Sequence, residues 1–519
     1  MPVGALVGVS SLARGLASGS ADVSAFLPDR WDTESIVTRG REVLARFHPR
    51  EATQVDPALA DLAQGRVAGI FTGQQVGLFG GPLLTLAKAL AAVELAAEVA
   101  GRHPVAPVFW CASEDHDLVE VTRFFVPGPD GPVDVGPPEE PLTVNRRPVG
   151  TLPIGVEIEA LLGKAAAGLP ARDDDALATL LSIHRGATFR DAFVGTLRWL
   201  ADEPALRFAD AARLADKPDL VPLALRLVRE RAEVWRLLSD RNEALRREGH
   251  PLQVRNDPFA VPLFVLVGGE RYALREEEGR LHLKGAADGR GYPPGEVVAN
   301  LESGAWLPSF SALTRPLATS VLYPVAATVL GPAEIAYWAQ SYPLFSWAGI
   351  VPPVLVPRPM VAPISSSGRR ALARFGLGVA DVLKGPVSLL SRAGAGRAGA
   401  ALDGVREARR AALTAIDKLG PDLLRIDPAL ARALEATRKN VAFALEKLEE
   451  KAAQAAGRAD EAVAAQVKHL SEEIAPGGKL AERVYTAVPW LLRYGRDGLV
   501  GPLKRDLRWS VPGLQVIEL

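Results

Sequence analysis

The sequence predicts an α/β protein with a doubly wound parallel sheet, inserted connecting modules and a C-terminal α-helical coiled coil. Two observations predict this class. Apolar runs of strand length alternate with apolar helical segments, first in residues 66–125 and again in residues 321–356. From about Gly368 the composition changes to alanine, leucine, arginine and glutamate with few prolines. A chain of 519 residues has room for two or three packed units.

The first section contains a βαβ unit. Arg66–Phe71 is a short apolar run with strand character, the glycine-rich segment Thr72–Pro82 follows it, and Leu83–Ala100 is apolar and alanine-rich. Ala106–Cys111 is then typical of a buried parallel strand. The segments that follow the two strands, Thr72–Pro82 and Ala112–Asp117, are expected at one edge of the sheet, where ligands bind.

Two further sections complete the predicted core. After Phe125 a segment rich in proline and glycine leads into helices over Asp175–Gly249 and three short strands. The core then resumes with a strand over Val321–Leu330, a helix over Pro332–Trp347 and a strand over Val354–Val356. We therefore assign 1–125 to the first part of the core, 126–300 to inserted modules, 301–365 to the rest of the core, and 366–519 to the helical region and tail.

The helical region carries a heptad pattern. Leu434, Val441, Leu448 and Ala455 recur at sevens, with Leu445, Ala452 and Ala459 between them. Beyond Ala459 the apolar positions shift by one residue, which is a stutter. A break at Leu419–Pro421 predicts that a shorter helix, Leu402–Leu419, turns back antiparallel to the longer one. The alternative is that these helices only cover the sheet.

Composition excludes several classes of protein. Lys+Arg 60 against Asp+Glu 61 argues against a nucleic-acid-binding chain, and no apolar stretch reaches the length of a membrane span. Cys111 is the single cysteine, so it forms neither an intramolecular disulfide nor a multi-thiolate zinc site. A reducing cytoplasm is the expected location. Within an apolar strand, this thiol is expected to pack rather than react.

The glycine-rich loop is the first candidate site. It lies between a strand and a helix, where free backbone N–H groups and the helix dipole favour a phosphate or a carboxylate. Its candidate binding residues are Thr72, Gly73, Gln74, Gln75, Gly77, Gly80 and Gly81. The loop has neither the P-loop nor the dinucleotide pattern. The alternative is a tight turn that needs glycine for its geometry alone.

The second candidate is the acidic segment Glu114, Asp115, His116 and Asp117, which follows the second strand. Such a cluster suits a Mg²⁺–nucleotide site, or a base that activates an amine, with His116 as the general base. The alternative is a charged helix N-terminus, where the acids complement the dipole. His116 and Glu120 have helical spacing, but no other histidine or cysteine is near in sequence, so no transition-metal site is predicted.

Two segments around the predicted strand 321–330 form the third candidate. Arg315 is a bidentate clamp for a carboxylate, and one helix face carries an acid with two aromatic residues that would hold a sugar or a base. The candidates are Thr314, Arg315, Gly331, Glu334, Tyr337 and Trp338. The alternative for the two aromatic residues is core packing.

Four blocks of sequence carry a family resemblance. TGQQVGLFGGPLLTLAKAL, PVFWCASEDHD, FSALTRPL and GPAEIAYWAQ, in this order, resemble the cysteine-adding enzymes of bacillithiol biosynthesis, also called cysteine ligases. The resemblance implies a Rossmann-like core, distantly similar to class I aminoacyl-tRNA synthetases, and a coiled coil that forms a homodimer. It implies the addition of L-cysteine to glucosaminyl malate, which gives the low-molecular-weight thiol bacillithiol. ATP with Mg²⁺ is the expected activator of the carboxylate.

The resemblance also implies roles for individual residues. Gln74, Gln75 and the loop glycines are expected to bind substrate or nucleotide, Asp115 and His116 to activate the amine with Asp117 beside them, and Arg315 to orient a carboxylate such as that of malate. No nucleic-acid or membrane partner is expected. Two other readings of the sequence stay open: another ATP-using or nucleotidyl-transfer enzyme on the same core, and a non-catalytic coiled-coil scaffold.

Overall fold

The computed structural model describes residues 9–519 except 21–22, 28–29, 52–54, 129–130, 138–145, 156, 168–172, 256, 258 and 396–398. The strands are β1 (Ala68–Gln74), β2 (Val105–Cys111), β3 (Phe125–Gly128), β4 (Gly131–Asp134), β5 (Arg207–Asp210), β6 (Ala260–Val267), β7 (Glu270–Glu277), β8 (Arg280–Leu283), β9 (Gly291–Tyr292), β10 (Leu307–Phe310), β11 (Val325–Leu330), β12 (Val354–Pro357), β13 (Met360–Ile364) and β14 (Leu514–Glu518).

The helices of the first part of the chain are α1 (Ser11–Ser18), α2 (Thr33–Arg46), α3 (Ala60–Ala63), α4 (Leu84–Ala100), α5 (Leu118–Thr122), α6 (Ile158–Ala167), α7 (Asp174–His184), α8 (Phe189–Ala201), α9 (Lys217–Arg229), α10 (Arg231–Arg247), α11 (Pro294–Glu302), α12 (Arg315–Leu322), α13 (Pro332–Ser341) and α14 (Pro343–Ala348). Those that follow are α15 (Ser366–Arg374), α16 (Val379–Val382), α17 (Pro386–Ala395), α18 (Gly399–Ile426), α19 (Leu430–Ala459), α20 (Glu461–Ile474), α21 (Ala481–Val484) and α22 (Val488–Asp506). In the described ranges, no helix combines the length and the apolar character needed to cross a membrane.

The chain divides into two compact units. The first comprises residues 1–128, 133–361 and 482–517, and the second comprises 129–132, 362–481 and 518–519. The predicted boundaries differ from this division, because residues 482–517 belong to the first unit and not to the helical region. A sequence pattern identifies a helix but does not say which core the helix joins.

The centre of the first unit is a five-stranded parallel sheet in the order β12-β11-β1-β2-β5. The chain builds outward from β1 through β2 to β5, and then returns to the other side of β1 with β11 and β12. The order of strands therefore reverses between β1 and β11, which makes the carboxyl ends of these two strands a topological switch point. The predicted doubly wound, Rossmann-like fold class is confirmed.

The first βαβ unit explains why the sheet forms where it does. β1 and β2 are buried over most of their length, α4 packs on both, and the register pairs Ala68 with Val105 and Gln74 with Cys111. Gly73 permits this pairing, because a Cβ there would lie 2.7 Å from the carbonyl oxygen of Trp110. The segments after β1 and β2 consequently meet at one edge, as predicted.

The structure corrects three boundaries in the core. The predicted strand Val321–Leu330 is a helix end followed by the shorter strand β11: Tyr323 precedes a proline and is extended, which ends α12. The predicted helix Pro332–Trp347 is two helices, α13 and α14. β5, which lies inside the predicted insert 126–300, is an edge strand of the parallel sheet. β5 was not predicted, because helices were expected there, whereas the three strands predicted for the insert are confirmed as β6, β7 and β8, in an antiparallel sheet of order β10-β6-β7-β8-β9.

The second unit contains the predicted helical hairpin. α18 and α19 pack antiparallel, as the ion pairs Arg438–Asp417 and Arg406–Glu449 indicate, at 2.8 and 2.6 Å. The predicted break at Leu419–Pro421 is wrong, because α18 continues through Pro421 to Ile426. The predicted stutter coincides with an interruption at Asp460, whose side chain accepts from the Val463 N–H and caps α20.

Candidate active site

A cavity of about 190 Å³ lies in the first unit, at the switch point between β1 and β11. It is lined by the ends of these strands and of β2, and by the first turns of α12 and α13. Eight residues predicted from the sequence line it: Thr72, Gly73, Gln74, Gln75, Arg315, Glu334, Tyr337 and Trp338. Ten further lining residues were not among the predicted site residues, and they include Trp110, Glu120, Thr319 and Ser320.

The glycine-rich loop separates into two parts. Thr72 donates to the Val329 carbonyl at 2.9 Å and joins β1 to β11 at the cavity. Gly77, Gly80 and Gly81 do not line the cavity: Gly80 and Gly81 adopt positive φ and pack against α8, where a Cβ on Gly80 would approach Thr196 Cγ2 to 3.2 Å. The geometry of these glycines fits the tight-turn alternative, and their predicted role in binding has no support from position.

Lys88 supports the floor of the cavity from α4. Its side chain is fully buried, and its Nζ donates to the Gly73 carbonyl at 2.6 Å, to Gln74 Oε1 at 3.3 Å, and to both carboxylate oxygens of Glu334 at 2.7 and 2.8 Å. Burial lowers the pKa of Lys88, and the Glu334 carboxylate opposes that shift. The sequence analysis missed Lys88. A single basic residue in an apolar helix nevertheless indicates a buried ion pair, because a buried cation needs a partner.

Glu334 is held on two sides. Its Oε2 also accepts from the Gly331 N–H at 2.6 Å and so caps α13. Gly331 itself does not line the cavity, and next to it Arg358 forms a buried bidentate pair with Glu482, at 2.7 and 3.0 Å. Glu334 therefore presents a fixed carboxylate at the cavity wall, while the predicted binding role of Gly331 becomes a capping role.

The acidic segment after β2 does not converge on one point. Glu114 is buried, pairs with Lys217 and accepts from Ser309 at 3.0 Å. Asp117 is exposed, and it accepts from the Glu120 N–H at 3.0 Å as the cap of α5. The helix-terminus alternative therefore describes Asp117, and the predicted roles of Asp117 in catalysis and of Glu114 in binding have no support from position.

Asp115 is the acid of this segment that reaches the cavity residues. Its Oδ1 accepts from Arg315 NH2 at 2.8 Å and lies 3.4 Å from Arg271 NH1, while Oδ2 accepts from Gln75 Nε2 at 3.3 Å. Burial by itself would raise the pKa of Asp115, but Arg315 and Arg271 outweigh it and hold the pKa below its usual range. Asp115 is therefore a carboxylate that fixes Arg315 and Gln75.

His116 has a hydrogen-bond arrangement that conflicts with the predicted general base. Its Nδ1 lies 3.3 Å from Arg271 NH1, and because a guanidinium only donates, Nδ1 is the acceptor. The neutral ring then carries its proton on Nε2. Burial, together with Arg271, lowers the pKa of His116, which favours this neutral form. His116 does not line the cavity, and Arg271 occupies its Nδ1, so the predicted role as general base has no support from position.

The remaining predicted residues have packing roles. Thr314 Oγ1 donates to the Pro262 carbonyl at 2.6 Å, away from the cavity. Trp338 both lines the cavity and stacks on Phe345, with ring centroids 5.9 Å apart, so core packing and lining hold together. Cys111 is fully buried, and burial raises the pKa of its thiol, as expected for a residue that packs.

Three buried polar atoms of cavity residues have no hydrogen-bond partner among the described residues. They are Gln75 Oε1, Trp110 Nε1 and Ser320 Oγ. Buried polar atoms are almost always paired in native proteins. One acceptor, one donor and one hydroxyl on residues that line the same cavity are therefore left unsatisfied within the described part of the protein.

Comparison with known proteins identifies the family. Residues 34–359 match the model "Bacillithiol biosynthesis BshC, N-terminal Rossmann-like domain", and residues 363–518 match "Bacillithiol biosynthesis BshC, C-terminal coiled-coil domain". The chain belongs to the BshC family. As a member of this family it is a ligase of bacillithiol biosynthesis, and the resemblance inferred from the four sequence blocks is confirmed.

Relatives cover nearly all of the chain. A protein of Solibacter usitatus is 30% identical over 85% of this chain and 83% of its own length, and one of Salinibacter ruber is 30% identical over 86% and 82%. A protein of Koribacter versatilis is 29% identical over 93% and 90%. Each bears the name "Putative cysteine ligase BshC".

The described residues of the cavity do not form a dedicated site for a triphosphate or for Mg²⁺. The guanidinium that lines the cavity, Arg315, is already bound to Asp115. Glu114 and Asp115 are paired with cations, and in the described ranges no group of three His, Cys, Asp or Glu side chains is placed to hold a metal ion.

Proposed function

We propose that this BshC-family ligase joins the carboxylate of L-cysteine to the amine of glucosaminyl malate through an amide bond, in the last step of bacillithiol biosynthesis. The observation that carries the proposal is the cavity at the switch point. Glu334 and Arg315 line it with a carboxylate and a guanidinium, and three other lining residues each carry an unsatisfied polar atom. Both proposed substrates bear an ammonium group and a carboxylate, and the two charged walls complement these groups.

In this proposal Glu334 and Arg315 bind different groups of the substrates. Glu334 is fixed in position by Lys88 and by the Gly331 N–H, so its carboxylate is placed to bind a substrate ammonium. Arg315 uses NH2 to bind Asp115, and its other N–H groups are donors for a substrate carboxylate such as that of malate. The separation of the two charges orients each substrate before reaction, which is the main contribution that fixed side chains make.

In this proposal the acidic segment orients side chains that line the cavity. Asp115 binds Arg315 and Gln75, and Arg271 connects Asp115 with His116. His116 does not line the cavity, and in this proposal it supports Asp115 through Arg271. We propose this supporting role in place of the amine-activating role expected from the sequence.

The proposed reaction also needs activation of the carboxylate. Amide formation in water requires that one carboxylate oxygen become a leaving group, which is the chemistry that ATP with Mg²⁺ supplies when bound. We propose ATP as this reactant on the resemblance alone. A cytoplasmic location, where thiols stay reduced, agrees with the proposed substrate and product.

The test is mass spectrometry of purified protein with L-cysteine and glucosaminyl malate, with and without ATP and Mg²⁺. We expect a thiol with the mass of the two substrates less one water, formed only in the complete mixture. Omission of each component in turn is the control. Product formed without ATP would contradict the proposed energy source. If glucosaminyl malate gives no product in any mixture but another amine does, the proposed amine substrate is wrong.

We also propose a homodimer through the helical hairpin. In the described part of α18 and α19, large apolar side chains are exposed, namely Leu419, Leu424, Ile426, Phe443 and Leu448. A second copy would cover them, since exposed apolar side chains on a surface mark a site of protein–protein contact. Light scattering after size exclusion should give twice the chain mass, and Phe443→Glu should shift the mass toward the monomer while Lys439→Glu, at a polar position of the same helix, does not.

A further inference from the structure

Lys88 connects the two walls of the cavity. Its Nζ contacts the carboxyl end of β1, through the Gly73 carbonyl and Gln74 Oε1, and the first turn of α13, through Glu334. β1 and α13 are far apart in sequence and come together at the switch point. The ammonium is thus the shared hydrogen-bond donor for a backbone carbonyl and two side chains that line the cavity.

The environment of Lys88 explains why this contact is unusual. Its side chain is fully buried, and its helix is apolar around it. An ammonium in such a place loses its hydration, and it is tolerated only because several acceptors replace the lost water. A methionine of similar length would fill the same space at no such cost. Packing alone therefore does not account for a lysine here.

We infer that Lys88 is a positioning residue of the ligase, which holds Gln74 and Glu334 in place at the cavity wall so that Glu334 binds the substrate ammonium. The inference rests on the proposed function for the identity of those substrates. It assigns no contact with substrate to Lys88, which acts through the residues it holds. Removal of its charge should free the Glu334 carboxylate to turn toward solvent and leave Gln74 Oε1 without its donor.

The first test needs no substrate. Hydrogen–deuterium exchange of the full-length protein is compared for wild type, Lys88→Met and Lys504→Met, the last of which removes a lysine that pairs with Glu203 at 2.7 Å. We expect amides at the start of α13, Gly331 included, to exchange at least about tenfold faster in Lys88→Met. Equal exchange in all three proteins would overturn the inference.

The second test separates positioning from stability. In the complete reaction, Lys88→Met should raise KM for at least one of the two substrates about tenfold or more, whereas Lys504→Met changes neither. A loss of folded protein alone would lower kcat and leave both KM values unchanged, and that result would contradict the inference. Glu334→Gln should raise the same KM, and the double variant should be no worse than the poorer single variant.

The two proposals fail in different ways. If wild type forms no product but Lys88→Met loosens α13, the proposed substrates are wrong and the positioning role stands. If wild type forms product and Lys88→Met has wild-type exchange and KM values, the positioning role is wrong and the function stands.

Discussion

The first unit contains deeply buried ion pairs, whereas the ion pairs between the two hairpin helices of the second unit are partly exposed. The first unit buries ion pairs: Arg358 with Glu482 is 1% and 0% exposed, and Lys217 with Glu114 is 1% and 8% exposed. In the hairpin of the second unit, Arg438 with Asp417 is about half exposed on both sides. Buried charges lose hydration and need exact partners, whereas exposed charges keep most of their water. Buried pairs therefore mark the places where the fold holds something in position.

The largest expected effect comes from breaking the deepest of these pairs. Glu482→Gln removes the carboxylate charge that binds both terminal nitrogens of Arg358. It also weakens the acceptor for the Val361 N–H. An unpaired buried guanidinium is left, which typically costs about 3–5 kcal/mol. Urea unfolding followed by circular dichroism measures this loss.

The matched control is Glu302→Gln, which removes the same charge from an exposed pair with Arg229. This variant should lose less than about 1 kcal/mol. Similar losses for the two variants would contradict the contrast between buried and exposed pairs in this protein.

A buried histidine sharpens the contrast through pH. His184 accepts from the Phe79 N–H at 3.1 Å through Nε2, and its Nδ1 lies 2.8 Å from the Leu180 carbonyl, so the neutral ring satisfies both groups. Burial lowers the pKa of His184 from 6.5 to about 4. The unfolded chain then takes up this proton at a higher pH than the folded chain, so stability is full above about pH 6.5 and falls as pH drops toward 4.

The expected loss from this group is about 2 kcal/mol at pH 5 and about 3 kcal/mol below pH 4, relative to pH 7. Urea unfolding at a series of pH values measures it. His184→Gln should flatten this part of the profile, whereas His469→Gln, at an exposed position of α20, should leave it unchanged. An unaltered profile in His184→Gln would mean that other groups cause the acid loss.

The fold was largely predictable from the sequence, because period and composition report on burial. β2, α4 and the hairpin follow from apolar runs and heptads. The exceptions have local causes: α12 ends at Tyr323 because a proline follows, and Pro421 does not break α18. β5 carries too few residues for a pattern, so its place in the sheet depended on tertiary pairing.

The site was predictable in its residues more than in their roles. Gln75, Arg315 and Glu334 were recognised by type and by position after strands, which topology brings to one edge. Lys88 and Arg271 were missed, because their partners are distant in sequence and only the fold pairs them. The neighbours Asp115 and Asp117 have different roles since one faces Arg315 and the other begins a helix.

Those two acids provide a test of function at smaller effect. Asp115→Asn keeps the shape but weakens the hold on Arg315, and we expect kcat/KM of the ligation to fall about 10- to 100-fold through misplacement of the guanidinium. Asp117→Asn keeps a good helix cap and should stay within about twofold. Mass-spectrometric rates compare them. If Asp117→Asn were the more damaging change, the sequence expectation of a catalytic Asp117 would regain support.

The smallest expected effect belongs to the hairpin. Arg438→Ala removes the exposed pair with Asp417, 2.8 Å apart, and should cost about 0.2–1 kcal/mol, because both partners stay hydrated and salt screens them. A double-mutant cycle with Asp417→Ala isolates the pair from the loss of either side chain alone. The coupling should shrink further at 1 M salt. A coupling as large as that of Arg358 with Glu482 would mean that this part of the hairpin is covered in solution, which is the condition that the proposed homodimer would create.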